Sequence, residues 1–159
     1  MSVMSVPNGW NSNKINAICE VVRGGSPRPK GDSRYFDGPI PWIKISDVTK
    51  SKGKYILKTK EGLKKEGVAK SRFLKSGSLI LTNSATICLP KIMKIDGCIH
   101  DGFLTFQNLD AEIDITFLYY FFLAHRQTIT DNVARGLAQK NLNTELVGNI
   151  IFAYPSLKI

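Results

Sequence analysis

The fold class is decided by residues 78–107, which read SLILTNSATICLPKIMKIDGCIHDGFLTFQ. Four short apolar runs stand in this stretch, at residues 78–82, 87–93, 98–100 and 104–107. Asp96-Gly97 and Asp101-Gly102 separate the last three runs, and Asp-Gly is a strong signal for a turn between strands. The stretch therefore predicts short strands joined in a meander of mostly antiparallel sheet.

Upstream of this stretch, strand and helix patterns alternate with a long loop. Residues 15–22 have helical apolar spacing, but residues 20–23 fit a strand equally well, and Gly24-Gly25 ends either element. Residues 24–39 are rich in Gly and Pro and predict an ordered loop. Residues 40–45 alternate apolar and polar side chains and predict a strand, whereas the basic residues 58–68 are compatible with a helix.

Downstream, the pattern changes to that of an amphipathic helix. Asp114 begins a predicted helix that carries a broad apolar stripe of phenylalanines and continues towards Val133. Asn143 is predicted to cap a short helix, and residues 149–154 form a last strand closed by Pro155. The predicted fold is α+β: a curved, mostly antiparallel sheet with a few packed helices, in a single domain over residues 1–159.

Length, composition and cysteine content narrow the class of protein. The 159 residues are 43% hydrophobic, which is enough for a core and speaks against disorder. No apolar run approaches the roughly 20 residues of a membrane helix, and the N-terminus lacks the features of a secretory signal, so we expect a cytoplasmic protein without a membrane partner. The odd number of cysteines, without CxxC spacing, predicts buried free thiols rather than disulfides or a zinc site.

The charge is high and unevenly distributed. Twenty-two Lys and Arg oppose thirteen Asp and Glu, a net charge of +9. Residues 23–75 hold fifteen bases and five acids, whereas residues 96–145 hold seven acids and three bases. A one-sided basic distribution is typical of a surface that docks onto phosphates.

Catalytic motifs are scarce in this sequence. It contains no phosphate-binding loop, no dinucleotide fingerprint, no Asp/Asn-Pro-Pro-Tyr stretch and no Glu-x-Lys. The adjacent His100 and Asp101 keep open one alternative, a small metal-dependent nuclease or hydrolase. Another alternative is an interaction module that binds an acidic protein partner. We nevertheless expect no active site, no metal and no cofactor.

Side chains suited to DNA recognition are concentrated in three loops and the basic segment. Arg, Lys, Asn and Gln read base edges in the major groove, and cationic and hydroxyl groups hold phosphates. The candidate DNA-binding residues are Arg23, Ser26, Arg28, Lys30, Arg34, Lys44, Lys52, Lys54, Asn83, Ser84, Thr86, Arg135, Gln139, Lys140 and Asn141.

Six ordered stretches also carry a family resemblance. They are GGSP (24–27), YFDGPIPWIKISD (35–47), KSGSLIL (75–81), FLYY (117–120), GLAQKNL (136–142) and IIFAYPSL (150–157). Together they resemble the target-recognition domain of the DNA-specificity subunit of type I restriction–modification systems. Ser26, Phe36 and Ser78 depart from the family pattern, which usually has Thr, Trp and Asp there.

The resemblance implies that the chain reads one half of a bipartite duplex target. In that family a methyltransferase subunit and a restriction motor-nuclease subunit carry out the chemistry, so both are expected partners, and a second recognition domain is a further candidate. The spacer helix that the family pattern places after residue 159 is absent from this sequence. We therefore expect weak, salt-sensitive DNA binding from this chain alone.

Overall fold

A computed structural model of the chain describes residues 5–135 and 141–157. They form a five-stranded sheet, a four-stranded sheet, a two-stranded ribbon and several helices, which confirms the predicted α+β class. The strands are β1 (Trp10–Lys14), β2 (Glu20–Arg23), β3 (Phe36–Ile43), β4 (Tyr55–Ile56), β5 (Glu61–Leu63), β6 (Arg72–Leu74), β7 (Leu79–Thr82), β8 (Pro90–Met93), β9 (Gly97–Ile99), β10 (Phe103–Gln107) and β11 (Ile151–Pro155). The helices are α1 (Ile15–Ile18), α2 (Ile45–Lys50), α3 (Lys65–Val68), α4 (Ile115–Arg135) and α5 (Thr144–Gly148).

The five-stranded sheet has the strand order β2-β10-β7-β8-β4 and is covered on both faces. Leu79 and Leu81 of β7 pack into the cluster that also contains Phe122 of α4. Ile80, between them, packs into a second cluster with Ile43 of β3. All four residues of β7 are therefore buried, as in a strand that is covered on both sides.

The four-stranded sheet has the order β5-β3-β9-β6 and is mixed. Strand β9 pairs parallel with β3 and antiparallel with β6, so the predicted continuous meander is wrong at this strand. The reason is close packing: a Cβ on Gly97 would lie 2.7 Å from the Pro41 carbonyl oxygen, so glycine lets β9 approach β3. The chain then crosses from this sheet to the five-stranded sheet through residues 100–102.

Two other predicted segments differ from the structure. The loop predicted over residues 24–39 ends earlier, because β3 already begins at Phe36 and is bulged before Ile40. Residues 58–68 form β5 and α3 rather than one helix. Leu63 is fully buried, and Gly62 lies against the Gly38 carbonyl, so tertiary contacts override the local helical pattern here.

The predicted helix caps and cysteine states are confirmed. Asp114 Oδ1 accepts hydrogen bonds from the backbone N–H groups of Thr116 (2.7 Å) and Phe117 (3.2 Å), at the start of α4. Asn143 Oδ1 accepts from Leu146 N (2.8 Å) and caps α5. The three cysteines are free and buried. Pro155 belongs to β11 instead of closing it, so the last predicted strand ends one residue later than expected.

No helix among the described residues is long and apolar enough to span a membrane.

Candidate nucleic-acid interface

The two main sheets share one end, which we call the Asp101 end after the β9–β10 turn at residues 100–102. In the five-stranded sheet, β2 and β7 finish there, whereas β10, β8 and β4 begin there. In the four-stranded sheet, β3 and β9 finish at this end and β6 begins at it. Loops from distant parts of the chain are therefore gathered around a single turn.

The main chain of this turn is held by side chains from two other strands. Asp101 O accepts a hydrogen bond from Arg23 Nε (2.8 Å) and another from Asn83 Nδ2 (2.9 Å). Asn83 N–H also donates to Gly102 O, at 2.9 Å. The ends of β2 and β7 are thus fixed to the position where the chain changes sheets.

The loop that follows β2 is attached to the same turn. Gly24 N donates to Phe103 O (2.9 Å), and Gly25 N donates to Ile99 O (3.1 Å). A Cβ on Gly24 would lie 2.2 Å from the His100 carbonyl oxygen, so only glycine fits at this position. Ser26 Oγ then donates to Asp101 Oδ1 at 3.0 Å, so Gly24 and Ser26 of the Gly-Gly-Ser-Pro stretch both serve this attachment.

Four cationic side chains surround the turn. Arg28 Nη2 lies 3.8 Å from Asp101 Oδ2 and is 71% exposed. Arg72 Nε donates to Arg23 O at 2.7 Å, which joins β6 to β2. Lys44 Nζ lies 5.3 Å from the centre of the Trp42 ring and 3.1 Å from Glu61 Oε2. Arg23, Arg28 and Lys44 were predicted as site residues, whereas Arg72 was missed among fifteen bases of similar appearance.

His100 Nδ1 lies between two competing partners. It is 2.9 Å from Gly102 N, which donates to an unprotonated ring nitrogen, and 3.0 Å from Asp101 Oδ1, which would attract a protonated one. Burial lowers the pKa of His100, and the positive charges of Lys44, Arg28 and Arg23 lower it further against the opposing effect of Asp101. We therefore assign a neutral imidazole that accepts from Gly102 near neutral pH.

The predicted lysines of residues 52–54 lie on the far side of the same end. Lys54 Nζ lies 5.1 Å from the Tyr55 ring centre and 5.4 Å from that of Tyr120 on α4. The buried Lys91 holds the loop by donating to the carbonyl oxygens of Ser51 and Gly53, and burial lowers the pKa of Lys91. With four strand spacings between β2 and β4, this end is about 19 Å wide.

The loop after β7 contains the predicted residues Ser84 and Thr86, and its contact with Leu142 brings the predicted residue Asn141 to the same end. Leu142 N donates to Asn83 O at 2.8 Å, so the exposed Asn141 lies beside the β7 terminus. Ser84 and Thr86 are half-buried in this loop, where Thr82 Oγ1 donates to Thr86 O and accepts from Leu89 N. Arg135 is exposed at the end of α4. Gln139 and Lys140 lie outside the described residues.

Asn83 does not fit the role that its residue type suggested. The residue is only 2% exposed, and its amide nitrogen donates to Asp101 O, whereas its Oδ1 is buried without a hydrogen-bond partner among the described residues, so the structure does not present this side chain at the surface. Polar residue types predict exposure, but a long-range contact has buried this one. Asn83 instead positions the turn.

Lys30 and Arg34 lie on the loop between β2 and β3, and both are exposed. Arg34 makes a bidentate ion pair with Asp32, with Nη2 2.8 Å from Oδ2, and this pair lowers the pKa of Asp32 to about 2. The charge of Arg34 is therefore largely compensated within its own loop. For both residues, contact with DNA remains a prediction.

The structure gives little support to the hydrolase alternative. The Asp101 carboxylate accepts from Ser26, and His100 Nδ1 accepts from Gly102, so both groups serve the turn. In the described ranges, 5–135 and 141–157, no group of three or more His, Cys, Asp and Glu side chains is placed to hold a metal ion. The pair has the contacts of residues that shape a turn.

Comparison with known proteins gives one consistent family. Residues 7–159 match the model of the type I restriction modification DNA specificity domain. The chain is 25% identical over 156 residues to the type I restriction enzyme MjaIX specificity subunit of Methanocaldococcus jannaschii, covering 95% of this chain and 35% of the relative. It therefore spans about a third of that protein's length.

Solved structures of low sequence identity share the fold. The HsdS subunit of Thermoanaerobacter tengcongensis superposes with a TM-score of 0.74 at 16% identity, over 99% of this chain and 36% of its own. A structure reported for complex assembly and conformational transition of the type I R-M system gives a TM-score of 0.76 at 16% identity, over 99% and 37% of the two chains. The chain described here belongs to the type I restriction modification DNA specificity domain family.

Proposed function

We propose that this chain is a target-recognition domain that binds double-stranded DNA sequence-specifically and reads one half of a bipartite target. In this role it directs the methyltransferase and endonuclease of a type I restriction–modification complex to their site. The observation that carries the proposal is the convergence of four cations at one end of the two sheets: the exposed Arg23 and Arg28, and the half-buried Lys44, directly after β3, and Arg72 of β6. Membership of a DNA specificity domain family supports it.

The physical chemistry of the Asp101 end suits this task. Exposed Arg and Lys side chains neutralise phosphates and release counterions, which provides affinity without sequence information. The loops between them carry amide and hydroxyl groups, such as those of Asn141 and Ser84, that can contact base edges. A width of about 19 Å, from four strand spacings, is enough to bridge a major groove of about 12 Å.

The proposal assigns recognition to this chain and chemistry to its partners. A modification subunit that binds its own cofactor would carry out methylation, and a motor-nuclease subunit would carry out restriction. The chain itself acts as a single recognition domain without an active site or cofactor. A second recognition domain would read the other half of the target.

The first test measures how DNA affinity depends on salt. For the wild-type chain, log affinity for a duplex should fall with log salt by roughly 0.9 per phosphate neutralised. Replacing Arg28 by Ala removes an exposed cation from the Asp101 end, so both affinity and slope should fall, the slope by about one contact. Fluorescence anisotropy of a labelled duplex at several salt concentrations measures both quantities.

Lys75→Ala provides the matched control for this test. Lys75 follows β6 and precedes β7, so it lies at the end of the sheets opposite Asp101, with Asp96 3.5 Å from its Nζ. This variant also loses one positive charge, but its affinity and slope should stay near those of the wild type. Equal losses in the two variants would mean that net charge alone attracts DNA and would contradict the proposed interface.

A further inference from the structure

We propose that Asp101 is a specificity-determining residue, whose carboxylate accepts a hydrogen bond from the N4 amino group of a cytosine in the major groove. The inference rests on the proposed function and deepens it. It concerns the acidic side chain of the β9–β10 turn, which lies beside Arg23 and Arg28, whereas Glu61, the acid beside Lys44, is paired with that lysine at 3.1 Å.

The Asp101 carboxylate is held in a fixed position. The main-chain oxygen of Asp101 accepts hydrogen bonds from Arg23 and Asn83, and Oδ1 of its side chain accepts one from Ser26 Oγ at 3.0 Å. Its main-chain N–H also donates to Ser26 Oγ, at 3.3 Å. Hydrogen bonds thus fix both the backbone of Asp101 and one of its carboxylate oxygens. The side chain therefore loses little conformational freedom when its other oxygen binds a partner.

The second carboxylate oxygen retains capacity to accept. Oδ2 is ion-paired with Arg28, but its distance of 3.8 Å from Nη2 is longer than a hydrogen bond. The Asp101 side chain is 32% exposed, so part of it lies at the surface. The structure thus offers an acceptor at the point where the loops converge.

The chemistry of DNA selects the partner of this acceptor. A carboxylate repels phosphates, so it opposes backbone binding and can gain only from a neutral donor on a base edge. In the major groove, cytosine N4 and adenine N6 carry such donors, but adenine also presents the N7 acceptor beside N6. An ionised carboxylate has no proton to donate to N7, so cytosine is the better match.

The decisive variant is Asp101→Asn, which keeps the shape but changes the hydrogen-bonding character. Ser26 Oγ already accepts from Asp101 N, and His100 Nδ1 already accepts from Gly102 N, so the Ser26 hydroxyl proton favours the Asn oxygen at the Oδ1 position. An NH₂ donor then replaces the Oδ2 acceptor. In selection from a pool of randomised duplexes, the wild-type chain should enrich cytosine at one position. In the Asp101→Asn variant, the enrichment of cytosine at this position should fall about tenfold. The preferred base there should become one that presents an acceptor, thymine or guanine.

A modified duplex tests the same contact without changing the protein. When 2-pyrimidinone replaces the selected cytosine, the N4 amino group is lost, and wild-type affinity should fall about tenfold. Asp101→Asn should bind the two duplexes equally. Asp96→Asn, a change of the same type at the opposite end where Asp96 accepts from Ser76 N, should keep the wild-type preference.

The outcomes separate the inference from the function on which it rests. A wild-type chain that selects no sequence would overturn the proposed function itself. If the wild type selects a sequence and Asp101→Asn selects the same one, only the inference is overturned. Uniformly weaker binding by Asp101→Asn, with unchanged base preference, would make Asp101 a positioning residue. Uniformly stronger binding, again with unchanged preference, would make it a plain counterion. Either result would also overturn the inference.

Discussion

Single residues at the Asp101 end divide into those that form the interface and those that hold it in place. Arg28 is largely exposed beside Asp101 and is the proposed phosphate contact, whereas Asn83 is buried and bonded to the turn. Ser26, predicted as a DNA contact, orders the Asp101 carboxylate. Replacing a positioning residue should therefore weaken binding to every duplex, whereas replacing an exposed one changes the salt dependence or the base preference.

His100 gives a prediction about stability and pH at this scale. Its pKa in the folded chain is lowered from the usual value of about 6.5, so below that pH the unfolded chain takes up a proton that the folded chain resists. Above pH 7 the imidazole is neutral in both states and contributes nothing. The free energy of unfolding should therefore fall as the pH drops from 7 to 5.5.

The comparison with His100→Asn isolates this effect. Asn cannot be protonated in this range, yet its side-chain oxygen can still accept from Gly102 N. Urea denaturation at pH 7.5 and 5.5 should show a smaller loss of stability in the variant than in the wild type. Identical pH dependence in the two proteins would contradict the lowered pKa.

At the scale of elements, the loop after β2 depends on its close contact with the β9–β10 turn. Gly24→Ala would place a Cβ 2.2 Å from the His100 carbonyl oxygen, so the loop or the turn must move. Gly77→Ala is the control: Gly77 has a φ of +98° in open space, and its replacement costs backbone strain of roughly 1–2 kcal/mol. Gly24→Ala should lose more free energy of unfolding in urea, together with DNA affinity.

A different result at Gly24 would change the view of this loop. If Gly24→Ala cost no more stability than Gly77→Ala and left DNA affinity unchanged, the attachment of the loop would not matter for the interface. The Arg28 side chain would then reach its place without the support of the Gly24 and Gly25 hydrogen bonds.

Local pattern was sufficient for some elements and not for others. The apolar runs that became β7, β8 and β10, and the capped helix α4, were predictable because their signals lie within a few residues. Strand β1 was missed because all five of its residues are exposed and lack alternation, and β4 has only two residues. The membership of β9 in the second sheet depends on pairing with β3, more than fifty residues away, which local pattern does not report.

The same distinction holds for the candidate site. The sequence indicated Arg23, Ser26, Arg28 and Lys44 by residue type, and the structure places them around one turn. Burial of Asn83 and recruitment of Arg72 follow from contacts between distant strands, and nothing in the residue types reveals them. The role that we propose for Asp101 could not be read from its residue type for the same reason, because an acid in a turn is usually only a polar surface residue.

On the scale of the whole molecule, charge and topology identify the interface only together. Cations lie at both ends of the sheets, since Lys75, from the basic residues 23–75, and Lys94 lie opposite Asp101. Net charge alone would therefore attract DNA without selecting a face. The loops converge at one end, and this convergence distinguishes the Asp101 end from the other.

Hydrogen exchange of backbone amides, with and without a duplex that the chain selects, tests the central claim most directly. The account predicts slower exchange on DNA binding at residues 24–28, 83–86 and 100–103. Residues 75–77 and 94–97, at the opposite end, should exchange at unchanged rates. Protection confined to those opposite residues, with none around Asp101, would contradict it.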